Sequence, residues 1–246
     1  MKKIITFGDL HGQDSWKKTA DIDYLMNVGF EDLDNHIDTD YDHYVFVGDY
    51  VDSFIKINDE IYENLLNLIK FKKMYPQKVI LLWGNHDIQY LTSFKEHGCS
   101  GFRPEAYFDL HEIFRNNKEL FQMAFQIDNY LWTHAGIHRG WYEYDFPYKS
   151  KNVAQDLNMA FLEGLNCLFN VGPLRGGLHS VGGPLWADRK ETIKKPLNDF
   201  HQIVGHTRVE EIKTHIIDNK TSITYIDTME SDNSKPYILE IKKEKT

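Results

Sequence analysis

Apolar residues in this chain come in short runs, and several of those runs stop at a loop of polar residues and glycine. Lys3–Phe7 leads into GDLHG (Gly8 to Gly12), Tyr44–Val47 into GDYVDS (Gly48 to Ser53), and Val79–Trp83 into GNHD (Gly84 to Asp87). Tyr130–Thr133 and His201–Val204 repeat the pattern, ending in HAG (His134 to Gly136) and GHT (Gly205 to Thr207). Short apolar runs bounded by turn residues predict buried strands. Between the second and third runs, Ile57, Ile61, Leu65 and Leu68 recur at helical spacing. That spacing predicts a crossover helix and therefore two parallel neighbouring strands, with the loops at their carboxyl ends side by side.

The remaining pattern is mostly helical up to residue 126. Asp14–Val28 reads as a helix with Asp14 or Ser15 as N-cap, and Glu31–Asp42 as an acidic exposed loop. Ile88–Phe94, Glu105–Phe114 and Lys118–Phe125 carry helical signals, which together predict a helical insertion over about residues 88–126, interrupted by the glycine-punctuated loop His97–Glu105. Asn152–Phe169 predicts a long helix, followed by a glycine-rich loop from Gly172 to Gly183. The runs His215–Ile217, Ser222–Ile226 and Tyr237–Ile241 predict a closing β-meander. No repeat or linker interrupts residues 1–246, so one domain is expected.

Loops at the carboxyl ends of parallel strands are where α/β sheets place their chemistry. Here the strand ends carry Asp9 and His11, Asp49, Asn85, His134 and His206. These are oxygen and nitrogen donors without a thiolate, which suits Mn, Fe, Zn or a similar divalent ion. A carboxylate shared by two ions would make a dinuclear centre of the kind that clamps the attacking and leaving oxygens of phosphoryl transfer, and Asp49, on a central strand, is placed for sharing. Other histidines, such as His138 and His179, read as structural or surface residues.

Composition narrows the class. With 41% hydrophobic residues over 246 positions the chain has ample material for a packed core. A net charge of −9 without a basic stripe argues against a nucleic-acid partner. No apolar run approaches the roughly 18 residues of a membrane span, and two lysines run directly into the first strand, so neither anchor nor signal peptide is expected. The two cysteines, Cys99 and Cys167, do not form a zinc or disulfide pattern, and a cytoplasmic setting is expected.

The ordered set GDLHG, GDYVD, GNHD, HAG and GHT resembles the calcineurin-like metallophosphoesterases, and more narrowly the phosphoprotein phosphatases with their bacterial and phage relatives, which include diadenosine tetraphosphatases. The resemblance covers Gly8 to Thr207. It implies an α/β fold in which a two-sheet β-sandwich is flanked by helices in four layers. It also implies two divalent metal ions, with Mn favoured: Asp9, His11 and Asp49 would hold one, and Asp49, Asn85, His134 and His206 the other. His86, oriented by Asp52, would protonate the leaving oxygen after metal-bridged hydroxide attack on phosphorus. The implied activity is a phosphoric monoester hydrolase of the serine/threonine protein phosphatase kind, acting on a phosphorylated protein or small phosphoester. A dinucleoside polyphosphate hydrolase is the alternative enzyme, and an inactive metal-binding interaction protein the alternative of another class.

Two departures from the family pattern stand out. Where GDxVDRG carries a phosphate-binding arginine this chain has Ser53 and then Phe54, and where GNHE has glutamate it has Asp87. Arg103, in the loop SGFRPE, is the expected replacement for the missing arginine, and Arg189, after LWAD, a second phosphate-binding candidate together with Asn85; Arg175 and Arg208 compete for the role. Arg208 also stands where nuclease and phosphodiesterase branches place the second histidine of GHxH, which favours the phosphatase and dinucleotide-hydrolase branches.

Overall fold

The computed structural model describes residues 1–18, 41–91, 98–228 and 235–242. Two five-stranded sheets stack face to face. In the first, the order is β10 (Tyr237–Ile241), β1 (Lys2–Phe7), β2 (His43–Phe46), β3 (Val79–Leu82) and β4 (Phe121–Gln122), parallel except for β10. In the second, it is β5 (Ala124–Ile127), β6 (Tyr130–Thr133), β7 (His201–Val204), β9 (Ser222–Tyr225) and β8 (Lys213–Ile216), with β6, β7 and β9 mutually parallel. Helices α1 (Asn58–Met74), α2 (Asn85–Leu91), α3 (Tyr107–Asn117), α4 (Val153–Leu162) and α5 (Arg189–Thr192) complete the α/β architecture expected from the sequence. Among the described residues no helix is long and apolar enough to cross a membrane.

Strand alternation explains the layering. Ile4, Val45, Val47, Ile80 and Leu82 face the gap between the sheets and meet Ile127, Trp132 and Ile203 there. The Trp132 indole donates to Thr6 Oγ1 at 3.0 Å across the gap. The intervening positions Ile5, Phe7, Tyr44, Phe46 and Leu81 face the other way, against Leu65, Leu68 and Phe71 of α1 and the indole of Trp16. Ile57, although in phase with that stripe, is the N-cap of α1 and points into solvent.

Three expectations need correction. Lys118–Phe125 is a single 3-10 turn (Lys118–Leu120) followed by β4 and the start of β5, because the segment carries the chain from the edge of one sheet to the edge of the other. Its aromatic residues meet flat partners: Phe121 stacks on Trp83 at 4.5 Å and Phe125 packs against Trp132 at 5.4 Å. The closing strands do not form a meander, since β8 and β9 pair as a hairpin while β10 crosses over to pair with β1. Asn152–Phe169 divides into α4, capped by Asn152 accepting from Gln155 N, and a 3-10 turn over Asn166–Phe169. Of the expected helix Asp14–Val28 only the 3-10 turn Ser15–Lys18 falls in the described residues, and most of the acidic loop Glu31–Asp42 lies outside them.

The carboxyl ends of β2 and β3 are pressed together. A Cβ at Gly48 would sit 2.5 Å from Gly84 N and 2.6 Å from Gly84 Cα, and Gly48 holds φ +107°. Gly48→Ala is therefore expected to cost at least about 2 kcal/mol of stability, since strain and overlap act together. Gly164→Ala, with φ +73° but open space around it, should cost only about 1 kcal/mol. Urea denaturation of the two variants separates these contributions, and equal losses would show that overlap plays no part.

Candidate metal centre

Backbone hydrogen bonds knit the strand-end loops into one platform. Leu10 N and His11 N donate to Asp49 O at 3.0 and 2.8 Å, and Gly205 N donates to His134 O at 2.8 Å. Asp87 accepts from Asp49 N (2.8 Å), Tyr50 N (2.8 Å) and Gly84 N (2.9 Å), so the shorter carboxylate of GNHD ties the second loop to the third. His206 N donates to both oxygens of Asp9, and His86 N to Asp49 Oδ1 at 2.9 Å. Four non-glycine residues of these loops, His11, Asp49, Asp52 and His206, hold positive φ between 44° and 62°. Such strained conformations persist only where the surroundings over-determine them.

The side chains converge on two overlapping clusters, His11 with Asp49 and His86, and Asp49 with His134 and His206, each with ligand atoms within 4.8 Å of one another. Asp49 belongs to both. His11 Nδ1 lies 3.0 Å from Val51 O and His134 Nδ1 lies 2.9 Å from Val47 O. Each carbonyl takes the ring N–H, which leaves the Nε2 lone pair for the interior. Asn85 Nδ2 donates to Cys99 Sγ at 3.0 Å, which turns Asn85 Oδ1 to within 2.7 Å of His134 Nε2 and 2.9 Å of His206 Nδ1. His134 Nε2 and His206 Nδ1 are themselves 3.1 Å apart, and Asp49 Oδ2 is 3.4 Å from His134 Nε2.

Such crowding of acceptors fits a cation. Burial lowers the pKa of His134 and, more strongly, of His206, so both are neutral donors of lone pairs at neutral pH. Burial also raises Asp9 well above the ordinary carboxylate range, with the charges of Asp227 and Asp49 adding to it. His206 Nε2 is buried without a hydrogen-bond partner. Asp9, His11, Asp49, Asn85, His134 and His206 thus have the chemistry to hold divalent ions.

Beside this cluster, Asp52 accepts from His86 Nδ1 at 2.9 Å and also from Gln89 Nε2 and the Tyr90 hydroxyl. Nε2 of His86 faces the cavity, 4.0 Å from Asp49 Oδ2. Burial opposes charging this imidazole, but Asp49 and the Asp52 hydrogen bond prevail and raise its pKa to about 9.

The cavity above these groups encloses about 560 Å³, and its basic lining is Arg175 and Arg208. Arg103 is turned away from it: its guanidinium donates to Asn58 Oδ1 (2.5 Å), Lys56 O (2.7 Å) and Ser53 O. Arg189 stands over the ring of Tyr225, 5.4 Å from its centroid, and does not line the cavity either. Arg175, only a competitor in the sequence reading, reaches the site because Asp188 (2.9 Å from its Nε) and Thr207 Oγ1 (2.7 Å from Nη2) aim it there. Its hydrogen bond to Thr207 of GHT joins residues 32 positions apart, and such a pairing leaves no signal in linear spacing. His138 bonds its own turn, accepting from Gly140 N at 3.0 Å.

Over residues 2–216 the chain matches the calcineurin-like phosphoesterase family. The chain belongs to the calcineurin-like phosphoesterases. Among its curated relatives are the serine/threonine-protein phosphatase 2B catalytic subunit A2 of Saccharomyces cerevisiae, 28% identical over 90% of this chain, and a serine/threonine-protein phosphatase 7 long form homolog of Arabidopsis thaliana, 37% identical over 37% of it. The matches span 29% and 6% of those two proteins. A cold-active protein-tyrosine phosphatase of a psychrophilic Shewanella shares the fold, with a TM-score of 0.62, 18% identity and coverage of 98% of this chain and 76% of that one. The two-sheet calcineurin-like architecture inferred from the motifs is thus the one found.

In the metal-free calcineurin-like site, His86 links stability to pH. Its pKa is raised from 6.5 to about 9, so its stabilising contribution is complete below pH 6.5 and is lost as pH rises through 9. His134 and His206, both lowered, act below pH 6.5 and leave this window untouched. Thermal melts in chelator should show Tm falling between pH 7 and 9.5, by up to about 3 kcal/mol in stability. His86→Asn should reduce that slope, the carboxyls of Asp9 and Asp87, both raised by burial, contributing in the same direction, and an unchanged slope would assign it to those groups.

Proposed function

We propose that this protein is a dinuclear-metal-dependent phosphomonoesterase acting on phosphorylated protein. The observation that carries the reading is the sharing of Asp49 between two ligand clusters, one of which takes in His86, itself paired with Asp52. Asp9, His11 and Asp49 would hold one divalent ion, and Asp49, Asn85, His134 and His206 the other, with Mn suited to these oxygen and nitrogen donors. Bound there, two such ions would lower the pKa of water toward neutrality and neutralise charge on the phosphoryl oxygens. Formally, two divalent ions less the charges of Asp9 and Asp49 leave +2, enough to hold a phosphate dianion in a chain of net charge −9.

The chain's own residues supply the remaining steps. Arg175, anchored by Asp188 and Thr207, presents its guanidinium to the outer phosphoryl oxygens and takes the role that the sequence assigned to Arg103. Asp52 fixes the proton of His86 on Nδ1 and leaves Nε2 to donate to the departing alkoxide. This intact acid argues against an inactive binding protein. Two free cysteines, Cys99 and Cys167, support the proposed cytoplasmic setting.

Asp49→Asn is expected to lose bound metal and turnover together, which metal analysis alongside p-nitrophenyl phosphate hydrolysis measures; a metal-replete, active variant removes the dinuclear model. Arg175→Ala should lower kcat/KM by roughly 10- to 150-fold with metal content unchanged. His86→Asn should slow phosphoserine hydrolysis by about 10²–10⁴-fold and aryl phosphate hydrolysis less, because a good leaving group needs less protonation. In a substrate panel, turnover of diadenosine tetraphosphate alone would transfer the assignment to dinucleotide hydrolysis.

A further inference from the structure

Directly after Ser53, where the family pattern continues with glycine, the chain exposes three apolar side chains in four residues: Phe54 at 67%, Ile55 at 74% and Ile57 at 62%. Such a cluster on a loop carries a solvation cost unless something uses it. The loop is also tied down from below. Ser53 Oγ accepts from Ile55 N (3.3 Å) and Lys56 N (3.0 Å), closing the turn. Arg103 gathers Ser53 O, Lys56 O and Asn58 Oδ1 onto one guanidinium, and Arg103 N donates to the Tyr90 hydroxyl at 3.0 Å. Tyr90 in turn donates to Asp52, the partner of His86. The phenyl ring of Phe54 rests on Gly101, whose missing Cβ would lie 3.1 Å from Cζ. A half-buried arginine network therefore presents an apolar surface outward and ties it to the candidate catalytic pair.

The position of that surface indicates its use. Phe54 lines the cavity above the candidate ligands and also a second groove of about 540 Å³, which Ile55, Ile57 and Arg103 help to line. The two spaces thus have one aromatic residue in common. Two residues of extended peptide span roughly 7 Å, enough to cross that ring from a phosphoryl group in the cavity.

We propose that Phe54–Ile57 is a substrate-selecting lip, which receives the apolar side chain of a residue close in sequence to the phosphorylated residue of a peptide substrate. The inference rests on the phosphatase reading. It also gives the departure from the family pattern a purpose: with the arginine replaced by Ser53, grip on the phosphoryl group falls to Arg175, and contact beyond the phosphoryl group is gained at Phe54. The cations at the lip are already engaged, Lys56 with Glu60 at 2.9 Å and Arg103 with the loop, so they do not call for an acidic occupant, and Asp59 is the carboxylate at the groove's edge.

The test uses the full chain loaded with Mn and three substrates: p-nitrophenyl phosphate and two phosphoserine peptides that differ only in carrying leucine or glycine at the positions within two residues of phosphoserine. Wild type should favour the leucine peptide by on the order of tenfold in kcat/KM, the value of partly burying one aliphatic side chain. In Ile55→Ser/Ile57→Ser and in Phe54→Ser the ratio should fall toward one. Arg103→Gln, which releases the lip without touching its apolar residues, should lower the same ratio and leave bound Mn at the wild-type stoichiometry. These are exposed or loop-supporting positions, so the variants should fold, which circular dichroism checks. Turnover of p-nitrophenyl phosphate with equal rates on the two peptides overturns the lip and keeps the phosphatase. Absence of turnover on all three substrates removes both, and turnover confined to a dinucleoside polyphosphate replaces the peptide by a nucleotide.

Discussion

Asp87 is the residue on which the rest of the centre depends. Its buried carboxylate accepts three backbone N–H groups, from Asp49, Tyr50 and Gly84, and so locks two strand ends whose glycines already touch. Asp49 can then hold a positive φ and spend one oxygen on His86 N while the other faces the interior. The cost of confining a second carboxylate beside Asp49 is visible in Asp87 itself, whose pKa burial and the charge of Asp49 raise well above its usual range. Organisation of the site by backbone amides, rather than by surface ion pairs, suits a location that excludes water.

The strand ends of this fold are legible in the sequence because glycine followed by a ligand-type residue marks a place where backbones meet. Gly48 and Gly205 illustrate the reason: a Cβ at Gly205 would lie 2.0 Å from Asp9 Oδ1. Five strands and the crossover helix follow from the same punctuation. Helical spacing misleads at Lys118–Phe125, where Phe121 and Phe125 are in phase for a helix but are claimed by Trp83, just past β3 of one sheet, and Trp132, in β6 of the other. Strand pairing between distant segments leaves no local trace, which is also why the closing runs read as a meander although β10 pairs with β1.

Of the residues with metal-ligand chemistry that the motifs single out, His11, Asp49, His134 and His206 fall in the two clusters, Asn85 reaches His134 and His206, and Asp9 lines the same cavity while accepting from His206 N, whereas the arginines are not where the motifs place them. A ligand next to a strand end has its direction dictated by the strand. An arginine in a loop has a long side chain and several carbonyls within reach, and Arg103 finds three oxygen acceptors before it reaches the cavity. Arg175 becomes recognisable only when Thr207 and Asp188, 32 and 13 positions further along the chain, are seen to hold it.

The candidate ligands are divided between the sheets: Asp9, Asn85 and Asp49 follow strands of one, His134 and His206 strands of the other. Polar ties across the seam gather at these strand ends, as in His134–Val47 and His206–Asp9, while deeper in, beside the Trp132–Thr6 bond, the apolar interior between the sheets has no directional preference of its own. An ion held by both sets would act as a rivet, fixing the register in which one sheet slides over the other. Chelation would then be felt first as shear between two intact layers, and the geometry around Asp49 would blur before any strand unzips.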